Sequence, residues 1–461
     1  TYKINENKSC DFGIFQVDGL TDIDEDVRAK VLQRIDIDST QRFTALRVER
    51  IKNSMLTILK DNGYMLADIT TPVVTIDTAK GITDIYMSIK PGSRFKIKEI
   101  RSDIKGEGAD AVDKELVKEM IRIKPDDTYS LYELQRAQVR LYRTNLFGSA
   151  IVSGLVSDTV NNYVPLNVEL DVKPLYEMAP EIILNNRDNT LNLGLGAEFQ
   201  KKNFLGGART LSANASFVAQ NPAKILENLS VKDTVFFGFA DARIGIEQPT
   251  LFGKSIRTKV ETYITMQKRK AEYNATLWGG KISFDFELPR FTFFNSFSAS
   301  MNFEQSLYYY RKEYIYEVTK IPDYEARIAA FNWINGIELI SYNSDDILRP
   351  TEGYNLYLTL EDGNSIPYAI SKALKQELRS PAFYKSVITL TGFYPIYNNK
   401  QSTFGFKLKS GIIQSYYGDK FGIPLNHRFY LGGTNSVRGW DTRGLVPRRS
   451  EFISKVITAS D

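Results

Sequence analysis

Histidine and cysteine are almost missing from this 461-residue chain: His427 and Cys10 each stand alone. One cysteine excludes an intramolecular disulfide, and one residue of each kind excludes a Cys/His metal cluster. A lone histidine leaves a Ser-His-Asp triad a single position, just before Arg428, and neither G-x-S-x-G nor H-E-x-x-H occurs. FGKS at Phe252 looks like the end of a phosphate-binding loop, but Gln248 stands where that loop needs glycine. Asp285 and Glu287 read as polar lining rather than a catalytic pair. No catalytic residue, metal site or cofactor is expected, and the chain is not read as an enzyme.

An excess of charge of one sign is lacking too. The 59 Lys and Arg residues against 55 Asp and Glu leave a net charge of +4, which gives no reason to expect a nucleic-acid partner. The basic run at Lys268 to Lys270 reads as a solvated loop. No window approaches 18 consecutive apolar residues, so no membrane-spanning helix is expected. Membrane strands remain open, since each needs only about 9–11 residues of alternating polarity. Aromatic residues make up 12% of the chain, with 26 Tyr and 27 Phe, which is high for a soluble protein. Cys10 follows the polar KINENKS rather than an apolar processing signal, so it reads as a free thiol. Starting at Thr1, the chain reads as a mature form or a fragment.

The first 175 or so residues contain one pattern twice. Each copy opens on an alternating strand, FGIFQVDG from Phe12 and RFKIKEI from Arg94. A first helix follows, with Val27, Val31 and Leu32 or Leu116, Val117 and Ile121 as its apolar side. A second has Ile51, Met55, Ile58 and Leu59, or Leu134, Leu141 and Tyr142, at helical spacing. That helix ends in DNGY or TNLF, where Asn and Gly suit a helix C-terminus. Two strands close each unit, ending at IKPG and VKPL. Pro91 and Pro174 are 83 residues apart, and so are Tyr64 and Phe147, which argues for repeated β-α-α-β-β units.

Beyond about Tyr176 the period changes from helical to strict alternation. Leu191, Leu193, Leu195, Ala197 and Phe199 share one face; Ile282, Phe284, Phe286 and Leu288 share another. Tyr354, Leu356, Leu358 and Leu360 do so as well, as do Phe404, Phe406 and Leu408. One greasy and one polar face fits a half-exposed soluble sheet or a membrane barrel with a wet lumen. Turn spacing favours the barrel. Short turn signals recur at Asn203, Pro249, Leu288, Arg349 and Pro395, separated by long polar stretches from Gln220 and Tyr310. Two strands between successive short turns put those turns after strands two, four, six, eight and ten. The loop after strand eleven is then the sixth outer loop, and it contains RFYLGGTNSVRGW, Arg428 to Trp440. An eleven-stranded open sheet would leave two edges unpaired in hydrocarbon, at a cost on the order of tens of kcal/mol. A folded domain is stable by only about 5–15 kcal/mol. The native barrel is therefore expected to continue beyond Asp461, with EFISKVITASD read as an isolated piece.

The V-R-G-W loop, the β-α-α-β-β repeats and the short turns NFLGG and RPTEG together resemble the BamA/TamA family of outer-membrane assembly factors. The resemblance covers nearly the whole chain. It implies α+β POTRA repeats followed by a transmembrane antiparallel β-barrel of sixteen strands, about eleven of them present. The expected divisions are 1–9, the end of a truncated upstream POTRA unit to which the strand-like TYKI belongs; 10–92 and 93–175, two POTRA units; and 176–461, an incomplete barrel that includes the loop 428–440. The loop motif comprises Gly432, Gly433, Val437, Arg438, Gly439 and Trp440, with Arg438 projecting inward onto lumen carboxylates. The implied function is insertion of unfolded β-barrel clients into the outer membrane from the periplasm, without ATP or cofactor. The first strand, about Glu181 to Asn185, would offer its edge to them. Clients, membrane lipid, accessory lipoproteins and periplasmic chaperones are the implied partners. A two-partner secretion transporter and a passive channel are the alternatives.

Overall fold

The computed structural model describes residues 10–35, 42–187, 190–220, 238–269, 273–289, 292–310, 327–396, 402–418, 423–432, 437 and 439–440. TYKI, most of the long stretches from Gln220 and Tyr310, and EFISKVITASD lie outside them. The chain divides into two units, Thr1–Pro174 and Leu175–Asp461.

The first unit repeats one order of elements. Its first half runs β1 (Asp11–Asp18), α1 (Glu25–Arg34), α2 (Ala45–Asp61), β2 (Asp68–Ile69), β3 (Val73–Asp77) and β4 (Ile82–Lys90). Its second half runs β5 (Lys96–Gly106), α3 (Lys114–Ile121), α4 (Leu131–Arg143), β6 (Phe147–Gly154) and β7 (Tyr163–Val172). In each half the last strand is central, pairing parallel with the first and antiparallel with the one before it. Pro72, which has no N–H to donate, stands between β2 and β3, the two short pieces that occupy the place of β6.

The helices start where the side chains can cap them. Thr44 Oγ1 accepts from Arg47 N–H at 3.3 Å, and Ser130 Oγ from Glu133 N–H at 3.3 Å. On α2, Val48, Ile51, Met55 and Leu59 form one buried stripe against Phe12, Ile85 and Met87 of the sheet. Two apolar positions of the sequence pattern differ from expectation. Leu32 and Tyr142 are exposed, because Val27 and Val31, and Leu134 and Leu141, already fill the inward face. The Tyr142 hydroxyl instead accepts from Ala150 N–H at 3.2 Å.

A buried cation closes the second half. Arg140 of α4 is 7% exposed, and its guanidinium donates to the Met120 and Ile121 carbonyls at the end of α3. Those carbonyls would otherwise lack intrahelical partners. Arg140→Ala should cost about 3 kcal/mol in chemical denaturation of the isolated first unit. Arg140→Lys should recover only part of it, because one ammonium cannot reproduce the fork. A midpoint unchanged by Arg140→Ala would show that the contact contributes nothing.

The two halves are joined through short polar contacts. Arg94 donates through Nη1 to Asp24 at 2.7 Å and through Nε to the Asn62 carbonyl at 2.9 Å. Phe95 N–H donates to the Gly63 carbonyl at 2.8 Å, and Tyr132 N–H to Asp61 at 2.8 Å.

The second unit is one antiparallel sheet of eleven strands in sequence order. They are β8 (Tyr176–Arg187), β9 (Thr190–Lys201), β10 (Thr210–Gln220), β11 (Phe239–Gln248), β12 (Ile256–Arg269), β13 (Tyr273–Phe286), β14 (Ser296–Tyr310), β15 (Arg327–Ser344), β16 (Gly353–Gly363), β17 (Ala382–Pro395) and β18 (Thr403–Tyr417). Every strand reaches the length a tilted membrane strand needs. The turns at Asn203, Pro249, Leu288, Arg349 and Pro395 follow the second, fourth, sixth, eighth and tenth strands of this sheet. The opposite end is less uniform than expected. Only two and three residues separate β8 from β9 and β12 from β13, whereas 364–381 hold a helix, α5 (Ser365–Ala373).

At RPTEG the geometry is specific. Asp345 accepts from Thr351 and Glu352 N–H, and Gly353 has φ +107°, where a Cβ would lie 2.1 Å from the Asn343 carbonyl oxygen.

Cross-strand register sorts the sheet into two faces. Met178, Ile182, Leu195, Phe217, Ile244, Met301, Leu360 and Leu408 lie on one. Ile182 is 79% exposed, Leu195 67% and Leu408 59%, so among the described residues nothing covers this face at these positions. A continuous uncovered apolar face of this extent is what hydrocarbon solvates and water does not.

Candidate functional site

The opposite face is polar. Arg243 donates through Nε to Asp241 at 2.8 Å, and Thr265 Oγ1 donates to the same carboxylate. The Tyr263 hydroxyl donates to Glu304 Oε2 at 3.0 Å and stands 3.1 Å from Asn302 Oδ1. These side chains come from β11, β12 and β14 and point the same way because alternation sets the face and antiparallel pairing sets the neighbour.

The segment after β18 lies on this polar face. Asn426 Nδ2 donates to Glu304 Oε1 at 3.2 Å, and His427 Nδ1 lies 3.0 Å from Glu361 Oε2. Glu361 on β16 also accepts an ion pair from its direct cross-strand partner, Lys385 of β17, at 3.4 Å. The Lys385 ammonium stands 5.5 Å from the Phe429 ring centroid. The Phe429 ring fills the space over Gly411 of β18, where a Cβ would come within 2.5 Å of it. Arg428 donates through Nε to the Ile423 carbonyl at 2.8 Å, closing the segment on itself. Glu304 is 4% exposed and Phe383, 5.9 Å from the His427 ring, is fully buried, so the wall side of these contacts is shielded from water while Asn426 and Phe429 stay exposed. Shielding strengthens each of them and raises the cost of leaving one unmade.

Of the loop motif, Gly432 and Gly439 have φ of +104° and +91°, as a tight bend requires. Val437 and Trp440 are exposed. Gly433 and Arg438 lie outside the described residues. The structure therefore brings together a set whose contacts sequence reasoning did not foresee: Asn426, His427 and Phe429 on the segment, with Glu304, Glu361, Lys385 and Gly411 on the wall. The one signal available was the lone histidine, immediately before the motif.

Among the described residues, β8 and β18 end the sheet, each with one partner strand. Pro180 interrupts the donor row of β8. A proline persists in a sheet where its nitrogen faces away from the neighbouring strand. By the two-residue period, Ile182 and Leu184 then direct their N–H groups to that same free side.

The Omp85 superfamily domain matches residues 188–459, more than half of the chain. The outer membrane protein assembly factor BamA of Nitratidesulfovibrio vulgaris is 22% identical over 98% of this chain, which spans about half (51%) of that relative. A crystal structure of BamA from Haemophilus ducreyi lacking POTRA domains 1–3 superposes with a TM-score of 0.53. It is 15% identical over 97% of this chain and 80% of that one. CdiB from Acinetobacter baumannii superposes with a TM-score of 0.50, at 13% identity over 95% and 74% of the two chains. At these identities the solved structures speak for the fold alone.

Proposed function

Because the chain belongs to the Omp85 superfamily and is therefore an outer-membrane protein, we propose that it is an assembly factor for other outer-membrane β-barrels. In this reading the two β-α-α-β-β halves of the first unit are POTRA domains at 10–92 and 93–175, and 176–461 belongs to a barrel of sixteen strands. Unfolded clients reach the POTRA domains in the periplasm and are templated on the edge of β8. Accessory lipoproteins or periplasmic chaperones deliver them. The work is strand pairing, with no reacting group, so no enzyme chemistry is involved. A client strand entering hydrocarbon carries unpaired backbone groups that cost several kcal/mol each, and a preformed edge supplies their partners. The observation that carries the reading is the uncovered apolar face of an eleven-stranded sheet following two repeated units in one chain.

The docked segment 423–430 has a role in the same reading. It brings the start of the V-R-G-W loop onto the lumen wall, and the family resemblance would pair Arg438, outside the described residues, with lumen carboxylates on strands that follow the loop. Arg438→Ala should slow client assembly and raise protease sensitivity of the outer loop while the first unit stays folded. Wild-type assembly with unchanged sensitivity would remove Arg438 from the account.

A second reading, a two-partner secretion transporter for one dedicated substrate, fits the same fold, which CdiB shares. Depletion separates the two. Assembly predicts that many unrelated outer-membrane barrel proteins fall together, whereas export predicts that one secreted substrate accumulates while barrel proteins stay constant.

A further inference from the structure

We infer that the lipid-facing side of β8–β12 binds one glycerophospholipid of the periplasmic leaflet, its acyl chain in a groove and its phosphate on Lys201. The inference rests on the outer-membrane reading above. The groove has a volume of about 440 Å³, within the range of small-ligand pockets. Its floor is set by register: Ala197, Ala215 and Ala242 stand opposite one another on β9, β10 and β11, with Ala213 beside them. Met178 and Phe199 rise on one side and Ile264 on the other. Small side chains amid large ones leave a depression in the apolar face, and unfilled space there forfeits dispersion contacts.

A charge two residues from the groove wall at Phe199 identifies the occupant. Lys201 lies on the same face as Phe199, two residues nearer the Asn203 turn, with its ammonium 5.1 Å from the Tyr176 ring centroid and 5.9 Å from that of Phe204. Its neighbour Lys202 points to the other face, is 2% exposed, and pairs with Glu177 at 2.7 Å. Among the described residues no carboxylate pairs with Lys201. Short turns of outer-membrane barrels are periplasmic, and a lysine between aromatic rings at a strand end marks headgroup depth. A lysine without a carboxylate partner at that depth, on the same face as an apolar depression, matches a phosphodiester whose acyl chain lies in that depression. A partner protein strand would need exposed backbone groups to pair with, and the middle of a paired sheet has none.

The test reconstitutes the full-length protein in nanodiscs of phosphatidylethanolamine and phosphatidylglycerol, extracts it in mild detergent, and counts retained lipid by native mass spectrometry. The wild type should keep one phospholipid. Lys201→Gln should lower that occupancy about fivefold, the effect of one lysine near an anionic surface. Ala215→Leu with Ala242→Leu should remove the adduct by filling the groove. Ile388→Ala, on the same face of distant β17, should leave it unchanged. Heat-modifiable mobility of each variant reports the folded barrel. A heat-modifiable wild type and variants that all retain lipid equally would overturn the lipid site alone. A wild type with no heat-modifiable band would overturn the membrane reading and this site with it.

Discussion

Replacing Glu361 with alanine should free residues 423–430 from the wall and speed protease cleavage of the outer loop by roughly 30-fold, the equivalent of about 2 kcal/mol. The size follows from what the carboxylate holds. It meets both Lys385 and His427, each less than one-fifth exposed, and its removal takes from both the acceptor they share among the described residues. The figure is kept below that of a fully buried pair because Glu361 itself is 21% exposed. Glu361→Gln retains hydrogen-bonding capacity without the charge and should fall between the two. Gly411→Leu attacks the same contact from the other side by occupying the place of the Phe429 ring. Unchanged cleavage in Glu361→Ala, with the barrel still heat-modifiable, would mean that Asn426 and Phe429 suffice to hold the segment.

The second large effect is expected at the edge of the sheet. Ile182→Pro combined with Leu184→Pro removes two donors from the side of β8 that faces away from β9, where Pro180 already lacks one. In hydrocarbon each lost donor strands an acceptor on the incoming strand. Client assembly should fall by at least about tenfold. The β8–β9 ladder of paired residues from Tyr176–Lys201 to Arg187–Thr190 is left intact, and heat-modifiable mobility of the variant reports that its own barrel still closes. Ile182→Ala with Leu184→Ala keeps the donors and should behave as wild type. If the proline pair assembles clients normally, β8 is not the template.

Much of the architecture was legible because its signals are local. A two-residue period survives as a pattern in the chain whatever the strand meets, so the faces of β9, β13, β16 and β18 could be read directly. The short turns punctuate that pattern, and counting them leads to eleven strands without any knowledge of pairing. The repeat was legible for a related reason, since two copies of one unit place prolines and aromatics at a common offset.

What could not be read depends on distance in the chain. His427 and Glu361 are 66 residues apart, and Asn426 and Glu304 are 122 apart. They meet only once the register of β14 through β18 is set. Arg140 gave no signal either, because a charged residue on a helix is usually solvated, and its partners are carbonyls 19 and 20 residues away. The helix α5 was missed in a stretch whose internal Pro367 discourages a helical reading. Pro367 lies in the first turn of that helix, where a missing N–H costs nothing. Leu32 and Tyr142 show the converse limit: an apolar residue at the right spacing need not be inside when its neighbours already fill the face.

The most direct test of the central claim is the folding rate of a urea-unfolded outer-membrane barrel protein added to vesicles that contain the full-length protein. Templating predicts at least about tenfold faster appearance of the heat-modifiable client than in empty vesicles, with the gain lost in the Ile182→Pro, Leu184→Pro variant. Equal rates in loaded and empty vesicles, with the protein folded and correctly inserted, would contradict the account.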